Sequence, residues 1–237
     1  MKKVFKIILK IIVVLLLLGA ITFGIGYALY NQPLPSGTIG PEADALAQKM
    51  LTAINNEQYQ KTRFLEWSFA GGNHQYKWDK ENGRVTVTWS DKRVLLNLNA
   101  PEKSMVYENS TEVFGDNRSE MIATALAYFN NDSFWLVAPF KIFDKGTTRS
   151  LVALKDGNHG LLVSYSKGGT TPGDAYLWKL GVNSFPESFQ MWVKIIPIGG
   201  LEATWDDWKV MENGLFLPAS HELGPFSLSM GDVKAFD

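Results

Sequence analysis

The sequence predicts an α+β, mainly β, fold: a strongly curved antiparallel sheet, an incomplete barrel of about ten strands, covering two or so helices and preceded by one transmembrane helix. Three observations predict it. Twenty consecutive residues from Ile11 to Tyr30 carry no charge. Two later stretches repeat apolar residues at helical spacing. Almost everywhere else apolar and polar residues alternate between short glycine, asparagine and aspartate turns.

The N-terminal segment, residues 1–30, carries lysines at 2, 3, 6 and 10 and no acid. Its uncharged run matches the roughly 20 residues that cross a bilayer as a helix. A signal peptide has an apolar core of only about 7 to 15 residues and a small-residue cleavage site. Gly26 and Ala28 supply only a weak site of that kind, so residues 11–30 read as a retained anchor in the inner (cytoplasmic) membrane. The basic flank keeps the N-terminus cytoplasmic and sends the rest toward the periplasm or exterior. Setting those four lysines aside leaves 19 basic against 24 acidic residues, a formal charge of −5, the wrong sign for a nucleic-acid binder. The absence of cysteine excludes disulfides, a thiolate nucleophile and a lipidated N-terminal cysteine.

Residues 31–41 hold three prolines and two glycines, without periodicity, and read as a linker. Residues 42–237 form a single extracytoplasmic domain. It opens on a helix, because Ala43, Leu46, Ala47, Met50, Leu51 and Ile54 share one face. A second helix near 118–129 aligns Ile122, Ala125, Leu126 and Phe129. Between them "TRFLEWSFA", "NHQYKWDK", "RVTVTWSD" and "RVLLNLN" are strands joined at Gly71-Gly72, Asn82-Gly83 and Asp91-Lys92.

Two-residue loops at those pairs fix a register. Trp67 faces Tyr76, Tyr76 faces Trp89, and Trp89 faces Val94; the next row is Leu65, Trp78, Val87 and Leu96. Side chains alternate, so these rows form one apolar face, and Glu66, Ser68, Gln75, Lys77, Thr86, Thr88 and Ser90 form a wet one. Glu66 opposite Lys77 reads as an exposed cross-strand ion pair. Asn130-Asn131-Asp132 then reads as a turn that ends the second helix, with Phe134, Trp135, Leu136 and Val137 entering a strand that Pro139 confines to an edge or bulge. Further strands follow near 148–154, 160–166, 175–180, 189–196, 201–210 and 215–223.

Motifs for chemistry are sparse. "SKGGTTPG" has its lysine before the glycines, the reverse of a phosphate loop, and reads as a hairpin turn. His74, His159 and His221 lack metal-ligand spacing, so no metal or cofactor is expected. No G-x-S-x-G or H-E-x-x-H string occurs. A carboxylate-dependent hydrolase would have to draw on Asp132, Asp144, Asp174, Glu202, Asp206 or Asp207. The abundant aromatics suit an apolar wall better, with Leu65, Trp67, Tyr76, Trp78, Val87, Trp89, Phe134 and Trp135 lining a cavity for a lipid or acyl chain. Whether the helices fill that cavity separates a binding domain from a solid-cored assembly module that docks another envelope protein.

The helix "ADALAQKMLTAI", the meander after it and the late segment "SFQMWVKIIPIGGLEATWDDWKVMENGLFLPASHEL" resemble, in order and pattern, the LolA-like lipoprotein carriers and receptors of the bacterial envelope. "NDSFWLVAPFK" and "TTPGDAYLW" also look like segments of bacterial envelope proteins without an assigned activity. The carrier resemblance implies a curved barrel around helices that cover an apolar cavity. A carrier shuttles as a soluble protein, whereas this chain reads as anchored, so shuttling is not implied.

Overall fold

A computed structural model describes residues 2–167 and 172–237. Helix α1 (Lys2–Tyr30) contains the span Val4–Tyr30, long and apolar enough to cross a membrane, whose most apolar stretch is not buried by the rest of the protein. No α1 residue joins either hydrophobic core cluster, so residues 31–237 hold a core of their own.

Helix α2 (Pro41–Ala53) begins as its composition directs. Pro41 occupies the first turn, where a missing N–H costs nothing, and Glu42 and Asp44 lie at the positive end of the helix dipole. Ala43, Ala47, Met50 and Leu51 are buried, the stripe that the spacing predicts. Helix α3 (Asn56–Lys61) follows at once, capped by the Asn55 side chain.

The strands divide between two antiparallel sheets rather than forming one, and neither closes on itself. The first is a meander of β1 (Phe64–Phe69), β2 (His74–Asp79), β3 (Arg84–Trp89), β4 (Lys92–Asn97), β5 (Met105–Glu108) and β6 (Thr111–Glu112). Trp67 faces Tyr76 as expected, but Tyr76 faces Val87 and His74 faces Trp89; Trp89 in turn faces Lys92, and Val87 faces Val94. The turn between β2 and β3 spans the four residues 80–83, and Ser90-Asp91 closes the next hairpin, so the rows slip by two residues. A slip of two preserves the face. Leu65, Trp67, Tyr76, Val85, Val87, Val94 and Leu96 are all buried, with Trp78 and Trp89 partly so. On the wet face Glu66 pairs with Lys77 at 2.8 Å.

The expected end of the second helix at Asn130 does not occur. Helix α4 runs unbroken from Gly115 to Val137, and Pro139 lies in the 3-10 turn that terminates it. Phe134, Trp135, Leu136 and Val137 are therefore helical, and the strand predicted to begin at Phe134 is absent. The buried stripe Ile122, Ala125, Phe129, Asp132 and Leu136 keeps the three-and-four spacing straight through the asparagines. Packing on one face outweighs the turn preference of three polar residues.

The second sheet contains β7 (Thr147–Ala153), β8 (His159–Tyr165), β9 (Ala175–Leu180), β10 (Pro186–Trp192), β11 (Leu201–Thr204), β12 (Asp207–Val210) and β13 (Phe216–Leu223), with β14 (Phe226–Ser229) paired to β13. The segment 201–210 is thus a pair of half-strands. Gly168 and Gly169 of the "SKGG" turn lie outside the described residues. The chain then returns to the first sheet, where β15 (Lys234–Phe236) pairs with β1. Ser68 N donates to Met230 O at 3.0 Å, so the two sheets meet beside β1.

Candidate functional site: an aromatic wall and a buried carboxylate

The predicted wall residues all join one hydrophobic cluster, but on two sides of α4. Leu65, Trp67, Tyr76, Trp78, Val87 and Trp89 belong to the first sheet. Phe134 and Trp135 project from α4 toward the second, where Phe134 lies 4.6 Å from Tyr176 and Trp135 lies 5.6 Å from Phe189, centroid to centroid. The helix is the filling between two aromatic faces.

On the first face Phe129 of α4 approaches Trp67, Tyr76 and Trp78 at 6.2, 6.5 and 5.2 Å. Trp67 stacks on Tyr76 at 4.6 Å, and Tyr128 stands edge-on to Trp89 at 5.7 Å. Surface cavities of about 360 and 370 Å³ exist elsewhere, one on the outer face of the first sheet near Arg84 and Met105, one near Phe185 and Trp208. None of the predicted wall residues lines either.

One turn beyond Phe129, Asp132 brings a carboxylate into this apolar contact. It is 2% exposed. Its Oδ2 accepts from the Tyr76 hydroxyl at 2.5 Å and from His74 Nδ1 at 2.7 Å, and its Oδ1 accepts from Asn131 Nδ2 at 2.9 Å. His74 stacks on Tyr128 at 4.0 Å. Three donors around one buried anion repay much of its desolvation. Burial first, and the bond to the Asp132 anion second, hold the Tyr76 hydroxyl far above the usual tyrosine range, so it remains a donor. Asp132, read from the sequence as part of a turn, is instead a polar latch between α4 and β2. The signal was present in its spacing from Phe129 and Leu136.

With Nδ1–H donating to the carboxylate, Nε2 of His74 is the free nitrogen, an orientation shared with acid–base catalysts. Among the described residues, however, no serine or threonine hydroxyl bonds to His74. Four of the other acids weighed for a hydrolase have separate partners: Glu202 engages Lys179 and Ser188, Asp207 engages Ser220, Asp144 pairs with Lys141, and Asp174 accepts from the Lys194 backbone N–H. Among the described residues no group of three or more histidines, aspartates and glutamates is placed to hold a metal.

Two donors at this contact have no acceptor among the described residues. Trp67 Nε1 and Trp78 Nε1 are buried without a hydrogen bond, as are Trp178 Nε1, Trp205 Nε1 and the Tyr165 hydroxyl around the second face. Buried unpaired N–H groups are uncommon because each forfeits its bond to water. On the far side of α4, His221 is fully buried, with Nδ1 2.8 Å from Thr204 O and Nε2 2.7 Å from Trp135 O. Burial lowers its pKa more than the two carbonyls and Asp206 and Asp207 raise it. Comparison with protein-family models and with curated proteins gives no match for this chain.

Proposed function

We propose that the protein is a single-pass membrane protein of the bacterial envelope, anchored by α1, whose outward-facing domain binds a lipid or acyl chain on the aromatic wall. In this reading the two sheets act together as an incomplete barrel around α2 and α4. The carrying observation is the contact between α4 and the first sheet. A polar latch holds the buried face of α4 on aromatic rings, and two indole N–H groups there lack acceptors among the described residues. A chain of carbons with an ester or carboxylate end supplies both what the wall buries and what the indoles need. Phe129 fills that space, so binding requires α4 to give way. Burial contributes about 25 cal/mol per Å² of apolar area, less the cost of ordering the ligand and displacing Phe129. The resemblance to lipoprotein carriers supports the same reading.

The test is ligand retention. Trp78→Ala and Trp89→Ala, in folded protein, are expected to lower the lipid recovered by organic extraction several-fold. Unchanged recovery from both sinks the wall assignment.

A second reading has its own support. Phe129 between Trp67, Tyr76 and Trp78 is what a solid-cored assembly module would show, with another envelope protein as its partner. It expects protein bare of lipid, recovered in a defined complex.

A further inference from the structure

The segment between membrane helix and domain is tied down from its first residue. Gln32 N donates to Gly199 O at 2.9 Å, Gly199 N donates to Asn31 Oδ1 at 2.8 Å, and Trp192 Nε1 donates to Gln32 O at 2.8 Å. A second tie follows where Thr38 and Leu151 exchange both backbone bonds at 2.9 Å. Glycine makes the approach feasible. A Cβ on Gly199 would sit 2.5 Å from Trp192 Cδ1 and 2.9 Å from Gln32 O, and one on Gly37 would sit 2.7 Å from Ser150 Cβ.

This strap fixes which edge of the domain meets the bilayer. The uncharged run 11–30 is about 30 Å long as a helix, the thickness of the hydrocarbon core, so Tyr30 ends at its outer boundary. Gln32 is two residues further, at most about 8 Å away. Gly199 is bonded to it, so the loop "VKIIPIGG" (193–200) that precedes it falls within the headgroup layer. The loop's composition suits that depth. Ile195 is 69% exposed, Lys194 and Pro197 are exposed, and Trp192 is half-buried at the base. In water Ile195 leaves most of its side chain exposed; at an interface it reaches the acyl boundary while Lys194 meets phosphates.

We infer that the loop 193–200 is a membrane-contact element that seats the β10–β11 end of the second sheet on the phospholipid surface through Ile195 and Lys194. The inference rests on α1 being a retained anchor. It gives the proposed ligand site a fixed orientation toward its lipid source.

The chain has no cysteine, so single spin labels report without background. Ile195→Cys, Ser110→Cys at the β5–β6 turn and Val14→Cys in α1 are each labelled in the full chain, in nanodiscs of phosphatidylcholine and phosphatidylglycerol. Accessibility to oxygen, which concentrates in lipid, is compared with accessibility to an aqueous nickel chelate. The oxygen-to-nickel ratio at 195 is expected to exceed that at 110 several-fold, with position 14 higher still. A ratio at 195 equal to that at 110, with position 14 in lipid, overturns the contact and leaves the anchor standing. An aqueous position 14 overturns the anchor, and the contact with it.

Discussion

Removing the acceptor from the latch should cost more than removing either donor, and the order follows from what each variant leaves behind. Asp132→Ala strands the Tyr76 hydroxyl and His74 Nδ1–H, the first buried and the second on a side chain that is 18% exposed. Unsatisfied buried donors cost about 1 to 3 kcal/mol each, so the loss should be about 3 to 5 kcal/mol. Tyr76→Phe removes one bond to a charged acceptor, about 1.5 to 3 kcal/mol, and leaves Asp132 with His74 and Asn131. The sign then reverses in the double variant. Once Asp132 is alanine the Tyr76 hydroxyl is only a liability, so adding Tyr76→Phe should restore about 1 kcal/mol or more. Urea unfolding of residues 31–237, followed by tryptophan fluorescence with the midpoint converted through a shared slope, measures all three. If Tyr76→Phe is equally destabilising with and without Asp132, the hydroxyl and carboxylate are not coupled and the latch does not exist.

Three further outcomes follow from the same contacts. Phe129→Ala should cost about 3 to 5 kcal/mol by cavity formation, yet raise uptake of a fluorescent fatty acid, because it vacates the space assigned to ligand. Lys80 donates to the Tyr59 carbonyl and lies 3.6 Å over the Tyr59 ring, and burial pushes its ammonium down to about 8 against a counteracting pull from Asp237. A folded value below the unfolded 10.5 means the penalty is fully present below pH 8 and relieved as pH rises to 10.5. Stability should rise across that window by about 1 to 2 kcal/mol after allowance for solvent screening, and Lys80→Met should abolish the rise in paired urea titrations. His221 is held below its ordinary 6.5, so its contribution is intact above pH 6.5 and declines as pH falls below it. His221→Phe should flatten that acid-side loss while lowering stability at pH 7 by about 1 to 3 kcal/mol, since the neutral ring carries one N–H and the carbonyl it serves loses its donor.

Much of the framework was legible because it rests on short-range patterns. The alternation in "RVTVTW" sets its strand and its faces, and Ala43, Ala47, Met50 and Leu51 announce their helix face. Register was less legible, since Asn82-Gly83 signals a tight turn but does not say that Lys80 and Glu81 join it. The division into two sheets depends on which distant strands meet, and no local pattern encodes the return of Lys234–Phe236 to β1. The latch was hidden for a different reason. Asn130, Asn131 and Asp132 prefer turns locally, and only the partners His74 and Tyr76, more than fifty residues upstream, make a buried carboxylate in mid-helix favourable. The strap was hidden likewise, because a proline- and glycine-rich linker looks free until Gly199 and Leu151 are seen to hold it.

The measurement that bears most directly on the ligand-binding reading is native mass spectrometry of purified residues 31–237, followed by organic extraction and identification of whatever accompanies the protein. The account predicts a stoichiometric lipid or fatty acid, diminished in Trp78→Ala. Protein that remains bare after incubation with envelope phospholipids, while folded and carrying its wall intact, would contradict it.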